Sequence, residues 1–392
     1  MTEPTAAFKA FPTPEQGPRV RVLMVGDPKP PGGMATIISE MAGSSISNKV
    51  QMTLFDNGKR TAASRSLWQG VRSQLQMLRE YVGLMRRERP HIVHLHSGGR
   101  FDFYRYSPYV FIARLMRAKV VFHNHLGAFE SFYNSQGPLR RAYIRFTLGR
   151  CQSVPAFSQW WKDFYSKITR PSHVHVLYNA IKADAYENNT PREKARELLQ
   201  IPRDCIVVLV MGVKCRNKGS YDIIDAAPAI ARSNPAVRLV LVGPDEWSAK
   251  GTNEEMARLC RERQLDGMVD IRGHADETLR FLHYAAADIF MLPSYSEGAP
   301  MTVIEAMAAA LPVISTPVGA IPEMVDDGRT GMLIQPGKPE QIAAAVLKLA
   351  GSETLRRQMG EAGHAKFREM FDIERVLVPA LWKVYEELAR KA

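Results

Sequence analysis

The chain contains no Cys-x-x-Cys pair, no internal repeat, no low-complexity segment and no apolar run long enough to cross a bilayer. Its four cysteines, at 151, 205, 215 and 260, are scattered over 392 residues. That pattern excludes a disulfide framework and a zinc ribbon, and it fits a reducing cytoplasm. The longest apolar stretches, such as "CIVVLVMGV", are strand-sized, far below the roughly 20 residues that a membrane span requires. The opening stretch "MTEPTAAFKAFPTPEQGP" lacks the basic-then-apolar order of a signal peptide, so residues 1–17 read as a flexible tail. Acidic residues are also in short supply, 40 against 52 basic ones, for a net charge of +12. The imbalance points to anionic partners: nucleotides, phosphate groups, acidic lipid or nucleic acid.

What is present is an ordinary globular composition, 45% hydrophobic and 23% charged. A chain of this length exceeds a single core, so two domains are expected. Short continuous apolar runs ("RVRVLMV", "VQMTLFD", "HIVHLHS", "KVVFHNH", "SVPAFS") alternate with helix-compatible sequence up to about Tyr178. Strands buried on both sides and separated by helices predict a parallel sheet covered on both faces. A polar stretch over residues 179–200 has linker composition. A second alternation follows, with "CIVVLVMGV", "VRLVLVGP", "MVDIRGH", "DIFMLPS", "PVISTP" and "MLIQP" as strands. The expected plan is a doubly wound domain over 18–178, a linker over 179–200, and a second such domain over 201–370. A C-terminal helix over 371–392, kinked at Pro379, packs back across the domains.

Ligands of such domains sit beyond the C-terminal strand ends, where loops and helix N-termini converge. There the stretch "SYSEGAPMTVIEAM" (294–307) leaves the strand "MLPS" and starts a helix near Pro300. It places Glu297 on the loop and Glu305 more than a turn into the helix. Two carboxylates so placed accept from different hydroxyls of one long ligand, while the backbone near Gly298 faces an anion. A helix cap and a solvated helix glutamate are the alternative reading of such a pair.

Residues 288–336, "DIFMLPSYSEGAPMTVIEAMAAALPVISTPVGAIPEMVDDGRTGMLIQP", closely resemble the signature of the retaining family-4 glycosyltransferases. The resemblance implies the GT-B fold: two Rossmann-like α/β domains facing each other across a cleft. It implies a sugar-contacting role for Glu297 and a ribose-binding role for Glu305, with Ser294, Gly298 and Ala299 around the donor. "GVKCRNKGSYDII" resembles the family's phosphate loop, with Lys218 at its lysine and Val213 where an arginine is usual. Lys214 and Arg216 are the neighbouring cations that stand to replace it. "PPGGMATII" resembles the N-terminal glycine loop, with Gly32 and Gly33 admitting close backbone approach to the diphosphate. "VVFHNHLGAF" resembles the strand that supplies an active-site histidine, here His125.

Three His-x-His pairs, His94/His96, His123/His125 and His173/His175, lack a carboxylate or cysteine at metal spacing. They read as buried, hydrogen-bonded strand residues, so no metal ligand is expected. The metal-dependent glycosyltransferases hold a diphosphate through an Asp-x-Asp motif, and none occurs in the chain. The resemblance therefore implies a metal-independent transfer, without cofactor, from a nucleoside-diphosphate sugar to a glycan acceptor. A lipid-linked acceptor in cell-surface or exopolysaccharide assembly is expected. The basic amphipathic stretches at 66–90 and 138–150 predict peripheral contact with the inner face of the membrane. Another GT-B activity, such as a sugar-nucleotide epimerase or phosphorylase, remains open, as does a basic nucleic-acid-binding or catalytically silent scaffold protein. Nucleic acid is not an expected partner, because no binding motif or basic stacking platform is present.

Overall fold

The structure, a computed structural model, describes residues 20–28, 33–58, 67–98, 102–187, 190–245 and 252–390. The N-terminal stretch 1–17 and Gly32 lie outside the described residues. The chain forms two compact units. Unit 1 runs to Ala180 and resumes at Ile373, and unit 2 is Ile181–Asp372.

In unit 1 the strands β1 (Val20–Gly26), β2 (Val50–Asp56), β3 (Ile92–Ser97) and β4 (Lys119–Asn124) form a parallel sheet in the order β2-β1-β3-β4. Two short strands, β5 (Val154–Ala156) and β6 (Val174–Val176), pair with each other. A parallel bridge between Val121 and Ser153 attaches them to β4. Every residue of β3 is buried. A strand shielded on both faces shows no in-out alternation, so His94 and His96 are carried into the interior together with the apolar residues of β3. The end of unit 1 is a π-helical turn, Ile373–Leu377, followed by the helix Val378–Arg390. Pro379, expected from the sequence to kink the helix, is the second residue of that helix and directly follows the π-helical turn. Val378, Leu381, Tyr385 and Leu388 form the buried face. Glu374 accepts from the Ser45 amide at 2.9 Å and from the Ser45 hydroxyl.

Unit 2 holds β7 (Ile206–Met211), β8 (Val237–Val242), β9 (Val269–Arg272), β10 (Ile289–Leu292), β11 (Val313–Ser315) and β12 (Gly331–Leu333). All pair in parallel in the order β12-β11-β10-β7-β8-β9. Val208, Leu239, Leu241, Met291 and Ile314 enter a continuous core with the helices Ser220–Ser233 and Pro339–Ala350. Part of the stretch expected to link the domains is the helix Arg192–Leu198 of this unit. Its Arg196 reaches Asp288 at 2.6 Å, both side chains being buried. Asp288 also accepts from the Val207 amide at 2.7 Å. A buried charge that finds both a partner and a backbone donor fixes the start of β10 against β7.

Candidate active site

β7 and β10 are neighbours, yet the chain leaves β7 toward β8 and leaves β10 toward β11, on the other side of the sheet. Their exit loops diverge at this switch point, where open α/β sheets bind ligands. The β7 loop ends at Gly219, whose φ is +71°. A Cβ there would stand 2.3 Å from the Pro293 carbonyl oxygen, so glycine alone lets the two loops meet. The amide of Tyr295 donates to Asn217 across the seam at 2.8 Å.

This contact sets Lys218 against Glu297. Lys218 Nζ lies 2.6 Å from Glu297 Oε1, and Ser294 Oγ donates to the same oxygen at 2.6 Å. The carboxylate is only 7% exposed, whereas the lysine is 30% exposed. Ionised donors and acceptors removed from bulk water make the stronger class of hydrogen bond. The loop after β11 supports this backbone from below. Gly319, with φ of +59°, passes so close that a Cβ would lie 2.2 Å from the Glu297 carbonyl oxygen. Next to it the Ala320 amide donates to Gly298 at 2.8 Å.

Glu305 lies within the helix Met301–Ala308, for which Pro300 is the residue just before the first turn. The side chain is buried. Its Oε2 accepts from the Tyr284 hydroxyl at 2.8 Å, and Arg280 Nη1 stands 3.5 Å from Oε1. Burial pushes the carboxyl's pKa up, against the lowering pull of Arg280 and of hydrogen bonds from Tyr284 and Tyr186. Arg280 and Tyr284 come from the helix Glu277–Ala286. Neither is marked by any motif, and only the folded chain shows that they attend Glu305.

The remaining sequence-derived residues divide. Lys214 is buried, and its ammonium donates to the carbonyls of Gly243 and of Arg272, the latter at 2.6 Å. Desolvation brings its pKa down to about 8. Arg216 is exposed and stacks over the Tyr221 ring at 4.3 Å. Gly298 and Ala299 are half-buried immediately before the Glu305 helix. In unit 1, Gly33 opens the helix Gly33–Gly43. His125 follows β4, and its Nε2 lies 2.9 Å from His96 Nδ1. Desolvation brings the His125 pKa down to about 3, which keeps the imidazole neutral.

Two family models match the chain, Glycosyltransferase Family 4 over residues 31–185 and Glycosyl transferases group 1 over residues 191–366. The chain belongs to the group 1 glycosyltransferases. This glycosyltransferase is similar to the lipopolysaccharide core biosynthesis glycosyltransferase LpsE of Rhizobium meliloti, with 27% identity over 69% of this chain and 74% of that one. It is 32% identical to a D-inositol 3-phosphate glycosyltransferase of Corynebacterium jeikeium, over 50% of this chain and 47% of the relative. The glycosyltransferase thus spans about half the length of that curated relative. Among solved structures, Anabaena HepE in complex with UDP superposes with a TM-score of 0.74 at 17% identity, covering 93% of this chain and all of that one. The sucrose-phosphate synthase of Thermosynechococcus elongatus gives 0.74 at 18% identity, covering 95% of this chain and all of its own. With two doubly wound parallel-sheet units, the glycosyltransferase has the GT-B fold.

Proposed function

We propose that this glycosyltransferase is a retaining, metal-independent hexosyltransferase that takes a sugar from a nucleoside-diphosphate donor and places it on an acceptor hydroxyl of a lipid-linked glycan. The observation that carries the reading is the Lys218–Glu297–Ser294 constellation beside the switch point, with Glu305 buried on the helix that follows. Glu297 accepts from hydroxyls of the transferred sugar and Glu305 from the ribose. Lys218 and the amides before the Glu305 helix face the diphosphate. As the glycosidic bond breaks with oxocarbenium character, negative charge grows on the diphosphate, and a cation held beside it stabilises the transition state more than the ground state. The commitment of Lys214 to two carbonyls leaves Lys218 as the principal cation for this task. His125, kept neutral, positions the sugar or acceptor as a hydrogen-bonding group. The lack of Asp-x-Asp motivates metal independence at the diphosphate. HepE was solved with UDP and with UDP-glucose, and LpsE is named for lipopolysaccharide core synthesis. Both support this donor and pathway class.

Among the described residues no helix is long and apolar enough to cross a membrane. The helix Leu67–Glu88 instead divides its apolar residues. Met77, Tyr81, Leu84 and Met85 are buried, while Trp68, Val71 and Leu75 are exposed at 83%, 51% and 54%. The helix Pro138–Leu148 likewise exposes Leu139 and Phe146, with Arg150 stacked on the latter at 4.6 Å. Apolar residues at helical spacing among exposed arginines such as Arg72, Arg86 and Arg140 suit an anionic lipid surface, the expected setting of a lipid-linked acceptor.

The deciding experiment screens UDP-, GDP- and ADP-sugars for thermal stabilisation, then assays transfer and the anomeric configuration of the product. A stabilising donor, retained configuration, and turnover unchanged by added magnesium or manganese are expected. Lys218→Ala should lower kcat/KM by about 1–3 kcal/mol. Inversion of configuration, or an absolute requirement for magnesium or manganese, overturns the mechanism. Equal, salt-independent sedimentation with neutral and anionic vesicles overturns the membrane reading.

A further inference from the structure

His94 and His96 lie on β3 and His123 on the adjacent β4, with His125 just beyond its end, and the parallel register places His96 directly opposite His123. Alternate strand residues share a face, so β3 and β4 together gather imidazoles on one side of the sheet. His94, His96 and His123 are fully buried. One ring nitrogen from each lies within 4.8 Å of those of the other two. Among the described residues, no other group of three histidines, cysteines or carboxylates converges in this way.

The hydrogen bonds of these rings are distributed in a telling way. His94 Nδ1 is 2.7 Å from the Tyr385 hydroxyl, and His96 Nδ1 is 2.9 Å from His125 Nε2. His94 Nε2, His96 Nε2 and both nitrogens of His123 are buried with no partner. Buried polar atoms of a native protein are paired in the great majority, and each exception calls for an explanation. A histidine that ligates a metal characteristically uses one nitrogen for the ion and donates the other, as N–H, to an outer acceptor that fixes its tautomer. Here the two nitrogens with outer partners are both Nδ1, and the two left over are both Nε2. Donation from Nδ1–H to Tyr385 and to His125 leaves a lone pair on each Nε2. His123, with both nitrogens unpaired, brings one of them within 4.8 Å of a nitrogen on each of the other two rings.

We infer that His94, His96 and His123 form a binding site for a single divalent cation of the zinc type, with Tyr385 and His125 as its outer shell. Three neutral imidazoles with one position left for water suit a borderline cation that takes nitrogen ligands in tetrahedral geometry. Carboxylate-seeking magnesium and calcium find no oxygen ligand in the set. Zinc–nitrogen bonds of about 2.0–2.1 Å need three nitrogens well inside the 4.8 Å that bounds their separation here, and the His94 and His96 rings already stand with centroids 4.2 Å apart. The site joins β3, β4 and, through Tyr385, the helix Val378–Arg390, all within unit 1. Its three ligands are separate from the donor site proposed in unit 2; only the outer-shell His125 is shared with the proposed function, and the inference does not depend on that reading.

The test uses the full chain. Protein stripped with chelator and dialysed is titrated with zinc and with cobalt, followed by elemental analysis, by the cobalt ligand-field spectrum and by the melting temperature. We expect about one ion per chain, a tetrahedral nitrogen-type cobalt spectrum and a raised melting temperature. His123→Gln should abolish all three. Tyr385→Phe keeps the ring and its packing but removes the outer acceptor, so it should weaken affinity by about 10–100-fold. Failure of the wild type to hold either ion overturns the inference, and the unpaired nitrogens then belong to buried water. Retention of wild-type affinity in both variants overturns it equally, because the ion then sits elsewhere.

Discussion

In the role proposed for it, Glu305 accepts from two hydroxyls as an ionised carboxylate, yet burial holds its pKa above the ordinary glutamate value. With a raised pKa the group takes up its proton earlier as pH falls. Donor affinity should therefore begin to fall at a pH above the usual glutamate range, seen as a rise in donor KM. In Glu305→Gln the KM should be high throughout and this acid limb should vanish. An identical acid limb in wild type and variant would assign the effect to another group. Glu297 and Glu305 were legible in the sequence because a strand, a loop and a proline-started helix determine where each must lie. The direction of Lys214 was not legible. It follows from the bridge between Lys214 and Asp245, which turns the side chain toward Gly243 and Arg272. Nor were Arg280 and Tyr284, since a helix between two strands carries no mark of which later helix it will face.

At the scale of elements, the site depends on two loops held in contact by a residue without a side chain. Gly219→Ala introduces a left-handed alanine, costing about 1–2 kcal/mol, and also drives Cβ into Pro293. Denaturant unfolding should report at least that loss, with kcat/KM falling further as Lys218 and Glu297 separate. The contrasting change is Gly83→Ala in the helix Leu67–Glu88, where an added Cβ meets nothing within 4 Å. It should stabilise by about 0.5–1 kcal/mol and leave turnover unchanged. A Gly219→Ala enzyme as stable and active as wild type would show that the loops do not need this contact. Most strands were legible as short apolar runs between helical segments, because a sheet covered on both faces imposes that pattern. The three-residue β6 and the π-helical turn before Pro379 were not, being set by what packs against them. Pairing between β3 and β4 was equally hidden, so the sequence showed two histidine pairs without showing that they meet.

At the scale of the whole molecule, unit 1 is built from two separated stretches of chain with all of unit 2 between them. Leu381 and Tyr385 of the helix Val378–Arg390 are almost fully buried, and Tyr385 lies against His94 of β3. Ending the chain after Asp372 should uncover that face. Hydrogen exchange is expected to show lost protection in β1 and β3 with β7 and β8 unchanged. Full protection of β1 and β3 would mean that unit 1 closes without the helix. The same path of the chain bears on biosynthesis. A ribosome delivers β1 to β6 first, then the entire second unit, and only afterwards the segment that seals the first. For that interval the earlier half waits with an apolar face bare to water, the state in which nascent proteins aggregate or recruit chaperones.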